Sequence, residues 1–467
     1  MRTLLLSPPQ ENVYGRLTPP YPPLGLLQIG ACLRAAGNDV VFLDAALYPA
    51  RVATVAKYFR PEMVCITSVT PTFPKALELA RFVKGELDVP VVFGGPHVSM
   101  IPEESLGSGD VDFAVVGEGE QTVVELARAI EGGNPLRVTG VWTRCGGEAI
   151  FTGRRAPVEQ LDTLPFPDWS LVEHVSAYAP PDALNRRVLT IITSRGCPFD
   201  CSFCMSSKLF DRRIRRRSVE NVLAEIEHLL RRERAREIHF ADDCFTSDRQ
   251  WVLDFCRALR SEKLRLNLSF MNGVRADEVD EEILAALRGA GVRTVGFGVE
   301  SFDEKLMRES GKRLTLDSVE HAFRVSKSLG LRTWGFFIIG FPEETREQAL
   351  STLAFAKKLA PDFAKFFPLV PYPGSEIFKK MEASRLPGHR DWNSFGLYSG
   401  RVPTLSRMDS CEIAALIAAF YRKFYLRPGR LLAMLSKMRT ASQLFLSLRM
   451  MAFLIDRFVG RDVSERA

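Results

Sequence analysis

Three cysteines fall within eight residues, Cys197, Cys201 and Cys204, spaced C-x3-C-x2-C in TSRGCPFDCSFCMSS directly after the apolar run VLTII. Thiols this close on one loop point to a soft metal or to redox chemistry. A structural zinc site usually takes four ligands, with C-x2-C halves arriving in pairs. No second pair occurs here, and His228 and His239 stand alone. A thioredoxin-like redox site needs two cysteines rather than three. A [4Fe–4S] cluster held by three thiolates leaves one iron open, where a substrate or cofactor can be bound and reduced. Cys32, Cys65, Cys145, Cys244, Cys256 and Cys411 are scattered, several among apolar neighbours, and read as small buried hydrophobes.

Other chemistry-bearing residues close apolar runs. In the first third these are Ser7-Pro8-Pro9, Thr70-Pro71-Thr72, Gly94-Gly95-Pro96-His97 and Gly117-Glu118-Gly119-Glu120. Further on they are Asp242-Asp243 (FADDCFTSD), Asn272 and Arg275, Glu300-Ser301 (GFGVES), Ile338 and Gly340 (GFFIIGFPE) and Tyr372 (VPYPGS). In parallel α/β sheets, ligands sit at such strand ends. Asp242-Asp243 equally suits a helix N-cap, Asn272 and Arg275 a salt bridge, Tyr372 a packed core position, and His97 a loop or cap.

The elements that must position these residues are legible as strand–helix alternation. Over residues 1–135, RTLLLSPP, DVVFLDA, MVCITSV, VPVVFGG and VDFAVVGEG read as strands buried on both faces. Helical patterns such as LGLLQIGACLRAAG separate them, so a parallel, doubly wound α/β sheet is expected. Residues 136–185 read as a proline-bearing linker with one hairpin, VTGVWTRCGGEAIFTG. Over 186–385 a second series (VLTIITS, EIHFAD, LRLNLSFMN, VRTVGFGVE, LRTWGFFIIG, FAKFFPLV) predicts a six-strand partial barrel, open on one side. Residues 386–467 read as a helical region.

Composition narrows the class. The 467 residues carry a net charge of +6 spread along the chain, which by itself implies neither nucleic acid nor membrane. The run RRIRRR lacks interleaved aromatics and reads as solvated or ion-paired, so no nucleic acid is expected. MRTLLLSPPQ is not a secretory signal and no apolar run reaches membrane-spanning length. A cytoplasmic protein with reduced cysteines is expected.

The loop Cys197-Pro-Phe-Asp-Cys201-Ser-Phe203-Cys204 resembles the C-x3-C-x-aromatic-C loop of the radical S-adenosylmethionine (SAM) enzymes, and its place after the first strand of a partial barrel agrees. The resemblance implies a [4Fe–4S] cluster on Cys197, Cys201 and Cys204, which are then the catalytic and metal-binding residues. Its open iron would chelate SAM, whose reductive cleavage gives a radical that removes hydrogen from an unactivated carbon in a site closed to water. Phe203 belongs to the same motif. The resemblance also implies SAM contacts: Asp242 and Asp243 near the methionyl amine, Glu300 and Ser301 at the ribose, and Gly335–Glu343, including Ile338 and Gly340, at the adenine.

PPYPPLGLLQIGACL, TSVTPTFPKALELA, VVFGGPH and VDFAVVGEGEQT resemble the cobalamin-binding domain of one subgroup of that family. With the barrel, the resemblance covers roughly residues 1 to 380. A corrin needs a flat apolar platform with room for its nucleotide tail beside the sheet, which the small and apolar loop residues Thr70, Pro71, Thr72, Gly94, Gly95 and Pro96 could supply, with Glu118, Gly119 and Glu120 at a neighbouring strand end. No Asp-x-His occurs, so His97 lacks the partner of a cobalt-ligating histidine.

The expected activity is cobalamin-dependent C-methylation of a small-molecule, lipid or natural-product substrate. The alternative is oxygen-independent ring closure or hydroxylation, as in the magnesium-protoporphyrin ester cyclase. A methylthiotransferase would need three more cysteines in its first domain and an RNA-binding barrel, and a cobalamin or redox sensor would not cleave SAM. Implied partners are a lipid, isoprenoid or tetrapyrrole substrate and a reductant such as flavodoxin or ferredoxin. The basic, apolar tail RPGRLLAMLSKMRTASQLFLSLRMMAFLIDRF suits a helical lid or a peripheral membrane contact.

Overall fold

The computed structural model describes residues 1–10, 19–178, 180, 183–264, 266–270, 272–427 and 429. The chain divides into two compact units: Met1–Tyr178 with Arg390–Gly396, and Ala179–His389 with Leu397–Ala467.

The first unit is built on β1 (Arg2–Ser7), β2 (Asp39–Asp44), β3 (Met63–Thr67), β4 (Val91–Gly94), β5 (Phe113–Val115), β6 (Val141–Cys145) and β7 (Glu148–Phe151). Their order is β2-β1-β3-β4-β5-β6-β7. β1 to β5 pair in parallel. Leu4, Leu5 and Leu6 of β1 are all fully buried, as a parallel strand covered on both faces requires. The hairpin β6–β7 adds antiparallel strands to this sheet's edge instead of standing in a linker. The rest of the segment expected as linker also folds into the unit. Asp168 N donates to Leu27 O (3.1 Å) and Tyr178 Oη to Asp44 Oδ2 (2.8 Å).

The second unit contains β8 (Val188–Ile191), β9 (Ser194–Arg195), β10 (Arg215–Arg216), β11 (Glu237–Phe240), β12 (Asn267–Phe270), β13 (Val292–Glu300), β14 (Arg332–Ile339) and β15 (Phe363–Pro368). Six of them form a parallel sheet in the order β15-β14-β13-β12-β11-β8, and β9 pairs antiparallel with β10. β8 and β15 do not pair with each other, so the sheet is open. Such an edge leaves backbone groups unpaired. Helix Ser410–Tyr425 covers β15: Tyr425 Oη bonds both Ala364 N and Ala364 O (2.8 Å each), and Tyr421 Oη accepts Phe366 N (3.2 Å).

The arginine run is structural. Arg215 and Arg216 form β10, and Arg217 is ion-paired with the buried Glu225. The Trp251 indole donates to Arg217 O (2.9 Å). Among the described residues no helix is long and apolar enough to cross a membrane. Residues 430–467, which carry most of the tail proposed to touch a membrane, lie outside the described residues.

Candidate active site

The cysteine loop runs from β9 to helix Ser206–Leu209 and is held from both sides by backbone. Ser202 N donates to Ser310 O (2.7 Å), and Ser202 O accepts Ile377 N (3.1 Å). Gly311 lies against the loop at φ +77, where an added Cβ would come within 2.6 Å of Asp200 O. That closeness and the positive φ both call for glycine. Cys204 N donates to Cys201 O (3.0 Å), and Ser206 N donates to Cys204 Sγ (3.4 Å). Phe203 meets Phe341 edge to face, ring centroids 5.8 Å apart. Both pack with Leu306, Leu369, Ile377 and Ile338.

The three thiols sit in different fields. Cys197 is lowered to about 7, the neighbouring Cys244 thiol being the largest influence. Burial pushes Cys204 up to about 12 and also raises Cys201, while the charges of Lys312 and Arg275 pull Cys201 the other way. Among the described residues no three His, Cys, Asp or Glu side chains group as one metal ion would require. A cubane takes one thiolate per iron, so its ligands need not converge on a point, and iron deprotonates thiols that burial alone would keep neutral. Three half-buried soft donors on one pinned loop fit it.

Around the loop, the ends of β11, β13 and β14 carry the other expected residues, with unequal freedom to meet a ligand. Asp242 is buried, and burial raises its pKa. Its Oδ1 accepts Thr193 N (3.0 Å), Thr193 Oγ1 (2.7 Å) and Ser194 Oγ (2.6 Å). It therefore ties β11 to the chain entering the cysteine loop. Asp243 is exposed, with Ser206 Oγ donating to it at 2.7 Å, and it lies close enough to act electrostatically on Cys197 and Cys204.

Glu300 is buried at φ 65 and ion-paired with the buried Lys312. Ser301 is buried as well; its hydroxyl accepts Asp303 N (3.1 Å) and lies 3.4 Å from Thr352 Oγ1. Ile338 is half-buried. Gly340 N and Phe341 N (3.0 Å) donate to Glu344 Oε2, and burial raises Glu344 to about 7. The acid that shapes this turn is thus Glu344. Glu343 is exposed and bonds Arg407 (3.0 Å).

Asn272 Nδ2 donates to Ala241 O (2.9 Å), and Tyr372 is half-buried. Arg275 lies 3.7 Å over the Phe199 ring and pairs with Asp277 (2.8 Å). Sequence reading passed over Cys244, Glu278, Lys312 and Glu344. Only Cys244, next to the two aspartates, offered a signal.

The candidate cobalamin edge belongs to the first unit. Thr70, Pro71 and Thr72 form a buried turn and do not themselves make an open platform. The residue exposed there is Val69, at 44%. Gly95 has φ +104, and a Cβ on it would lie 2.6 Å from Ser68 O. Gly94, Gly95 and Pro96 are half-buried, as are Glu118, whose Oε2 accepts Val158 N (2.8 Å), and Gly119, while Glu120 is buried.

His97 is fully buried between the rings of Phe73 (4.2 Å) and Trp392 (5.0 Å), with Nδ1 3.2 Å from Thr70 Oγ1. Burial pushes it down to about 3, so it is neutral. Its Nε2 has no hydrogen-bond partner among the described residues. The returning segment is fastened by Glu104, which accepts from Arg390 Nη1 (2.6 Å) and Trp392 Nε1 (2.7 Å). An exposed apolar residue, small neighbours and one orphaned buried nitrogen fit a flat apolar cofactor with polar substituents.

A six-strand open parallel sheet carrying a pinned C-x3-C-x2-C loop defines the radical SAM class. Residues 191–356 match the radical SAM superfamily and residues 13–127 the B12 binding domain. The chain is 34% identical over 435 residues to the uncharacterized methyltransferase PH0819 of Pyrococcus horikoshii, covering 92% of this chain and 93% of that one. It is 29% identical to the anaerobic magnesium-protoporphyrin IX monomethyl ester cyclase of Rubrivivax gelatinosus, covering 91% and 78%. The solved structure of the cobalamin-dependent SAM radical enzyme OxsB, with aqua-cobalamin and SAM bound, superposes with a TM-score of 0.73 at 18% identity, covering 98% and 72%. The chain belongs to the cobalamin-dependent radical SAM enzymes, the family of PH0819. Its cofactors are a [4Fe–4S] cluster, SAM and cobalamin.

Proposed function

We propose that the protein methylates an unactivated carbon of a small molecule. The observation that carries this is the backbone-pinned trio of Cys197, Cys201 and Cys204 at the carboxyl end of an open parallel sheet, in a chain that also holds a B12-binding unit. When bound, the cluster, SAM and cobalamin supply a hydrogen-abstracting radical and a transferable methyl group. Cys197, Cys201 and Cys204 would hold the cluster. The exposed Asp243 carboxylate suits a cationic amine. Glu300, its charge balanced by Lys312, keeps lone pairs for ribose hydroxyls. Phe203 and Ile338, half-buried against the core cluster that holds Phe341, would offer apolar surface beside the loop. Val69, Gly94, Gly95 and Pro96 would face the corrin.

The test is anaerobic turnover of cobalamin-loaded protein with candidate substrates. Methylation yields S-adenosylhomocysteine, 5′-deoxyadenosine and a product heavier by CH2. Deoxyadenosine without S-adenosylhomocysteine overturns it. The resemblance to the Rubrivivax cyclase supports a second reading, ring closure or hydroxylation of a tetrapyrrole or isoprenoid, which instead changes product mass by oxygen or hydrogen. Either reaction needs a low-potential donor such as flavodoxin or ferredoxin. We place the protein in the cytoplasm, a reading supported by nine cysteines without a disulfide.

A further inference from the structure

The second unit holds a further concave site at the amino end of its sheet, away from the cysteine loop. It is a cavity of about 590 Å³, set between the starts of β11, β12 and β13 and the ends of helices Arg249–Ser261 and Glu281–Gly289. Arg236 precedes β11, Arg293 lies near the start of β13, and Arg260 and Lys263 sit at and just past the end of helix Arg249–Ser261. Asn267 opens β12 and adds an amide. The Arg260 guanidinium lies over Gly289, where a Cβ would come 3.8 Å from both Nε and Nη1. Among the described residues no carboxylate lines the cavity. Arg293 and Glu300 stand near opposite ends of β13, about 23 Å apart at the rise of an extended strand. The cavity is therefore remote from the reacting centre.

Cations at helix carboxyl ends have an ordinary use, which is to complement the helix dipole. Other arginines at this edge are also partnered: Arg288 Nε donates to Leu329 O (3.1 Å), and Arg187 pairs with Glu233 (3.8 Å). Among the described residues, the side chains of Arg236, Arg260, Lys263 and Arg293 have neither a hydrogen bond nor an ion pair. The two helix ends offer roughly half a negative charge each, against four full positive charges, so most of the charge is uncompensated. Guanidinium forks match phosphate oxygens in pairs, and a lysine adds a point charge. The volume is that of a small-molecule site. We propose that this cavity binds a phosphorylated small molecule carrying two or more phosphoryl groups, at a site separate from the one where the substrate reacts. Its occupant stabilises the folded second unit and is not itself transformed. The inference needs neither cluster, SAM nor cobalamin, so it stands or falls apart from the proposed reaction.

The test is calorimetric titration of the full-length protein with inorganic tripolyphosphate and with orthophosphate at physiological ionic strength. Tripolyphosphate binds at one site, more tightly than orthophosphate, and raises the thermal midpoint. Arg260→Gln and Lys263→Gln each weaken it by about tenfold, the loss of one charge-assisted contact. Arg257→Gln serves as the control: it lies on the same helix, is exposed and pairs with Asp254, and does not line the cavity. Its affinity for tripolyphosphate stays that of the native protein. Native protein that fails to bind tripolyphosphate overturns the inference. So does an equal loss in Arg257→Gln and Arg260→Gln, which would mark general charge attraction, or undiminished binding in Arg260→Gln and Lys263→Gln, which would place the anion elsewhere. Binding of a short single-stranded oligonucleotide without binding of tripolyphosphate would make the patch a nucleic-acid surface and overturns it as well.

Discussion

The cysteine loop of the second unit is fixed by its own backbone: Ser202 is bonded on both sides, Gly311 leaves room for Asp200, and Asp242 ties β11 to Thr193 and Ser194. The B12-type edge of the first unit has backbone ties of its own, Ser68 N donating to Gly94 O (2.9 Å) and His97 N to Ser68 O (3.4 Å), but what they hold is a surface rather than a set of donors. It is shaped by what is small or apolar, and by a short segment from far along the chain that stacks Trp392 on His97. A cluster needs named donors at set places; a large flat cofactor needs a surface. The first requirement writes a spacing motif into the sequence and the second writes only composition.

Substitutions separate the two modes, the most severe first. Cys201→Ala removes a donor that nothing replaces. Visible absorbance of the reconstituted cluster and SAM cleavage both fall to background, while cobalamin binding to the first unit persists. Asp242→Ala leaves Thr193 N, Thr193 Oγ1 and Ser194 Oγ without an acceptor and costs about 3 kcal/mol, read by urea unfolding. An unchanged midpoint would show that Asp242 is not the tie described.

The pH dependence belongs to the first unit. His97 is held near 3 in the folded protein, below its ordinary 6.5. The unfolded chain therefore takes up a proton first. The stability tied to a neutral His97 is complete above pH 6.5 and is lost as pH falls from there towards 3. Between pH 7.5 and 5 the loss is about 2 kcal/mol, and His97→Gln abolishes that part of the dependence. Equal slopes in native and variant protein would contradict this. The smallest effect is Glu104→Ala, about 1 kcal/mol, which frees Arg390 and Trp392 and speeds amide exchange over Arg390–Gly396.

The same contrast explains what was legible beforehand. Strand runs, the open six-strand order and the cysteine trio follow from periodicity and spacing, which are local. The linker hairpin was visible as a hairpin, yet its addition to β5 depends on tertiary pairing that no local pattern encodes. Glu343 and Glu344 look alike in sequence; the turn after β14 buries only the second. Cys244 looked like a core hydrophobe, and only the approach of β11 to the cysteine loop makes it a neighbour of Cys197. His97 is enclosed by Trp392, whose indole is fastened to a glutamate 288 positions away.

The central claim is a vacant iron that SAM occupies on the Cys197–Cys201–Cys204 loop. Mössbauer spectroscopy of anaerobically reconstituted, iron-57-enriched protein, with and without SAM, tests it most directly. The account predicts a cubane in which one iron subsite of four changes isomer shift when SAM is added. Four equivalent subsites indifferent to SAM, or no cubane in the native protein, would contradict it.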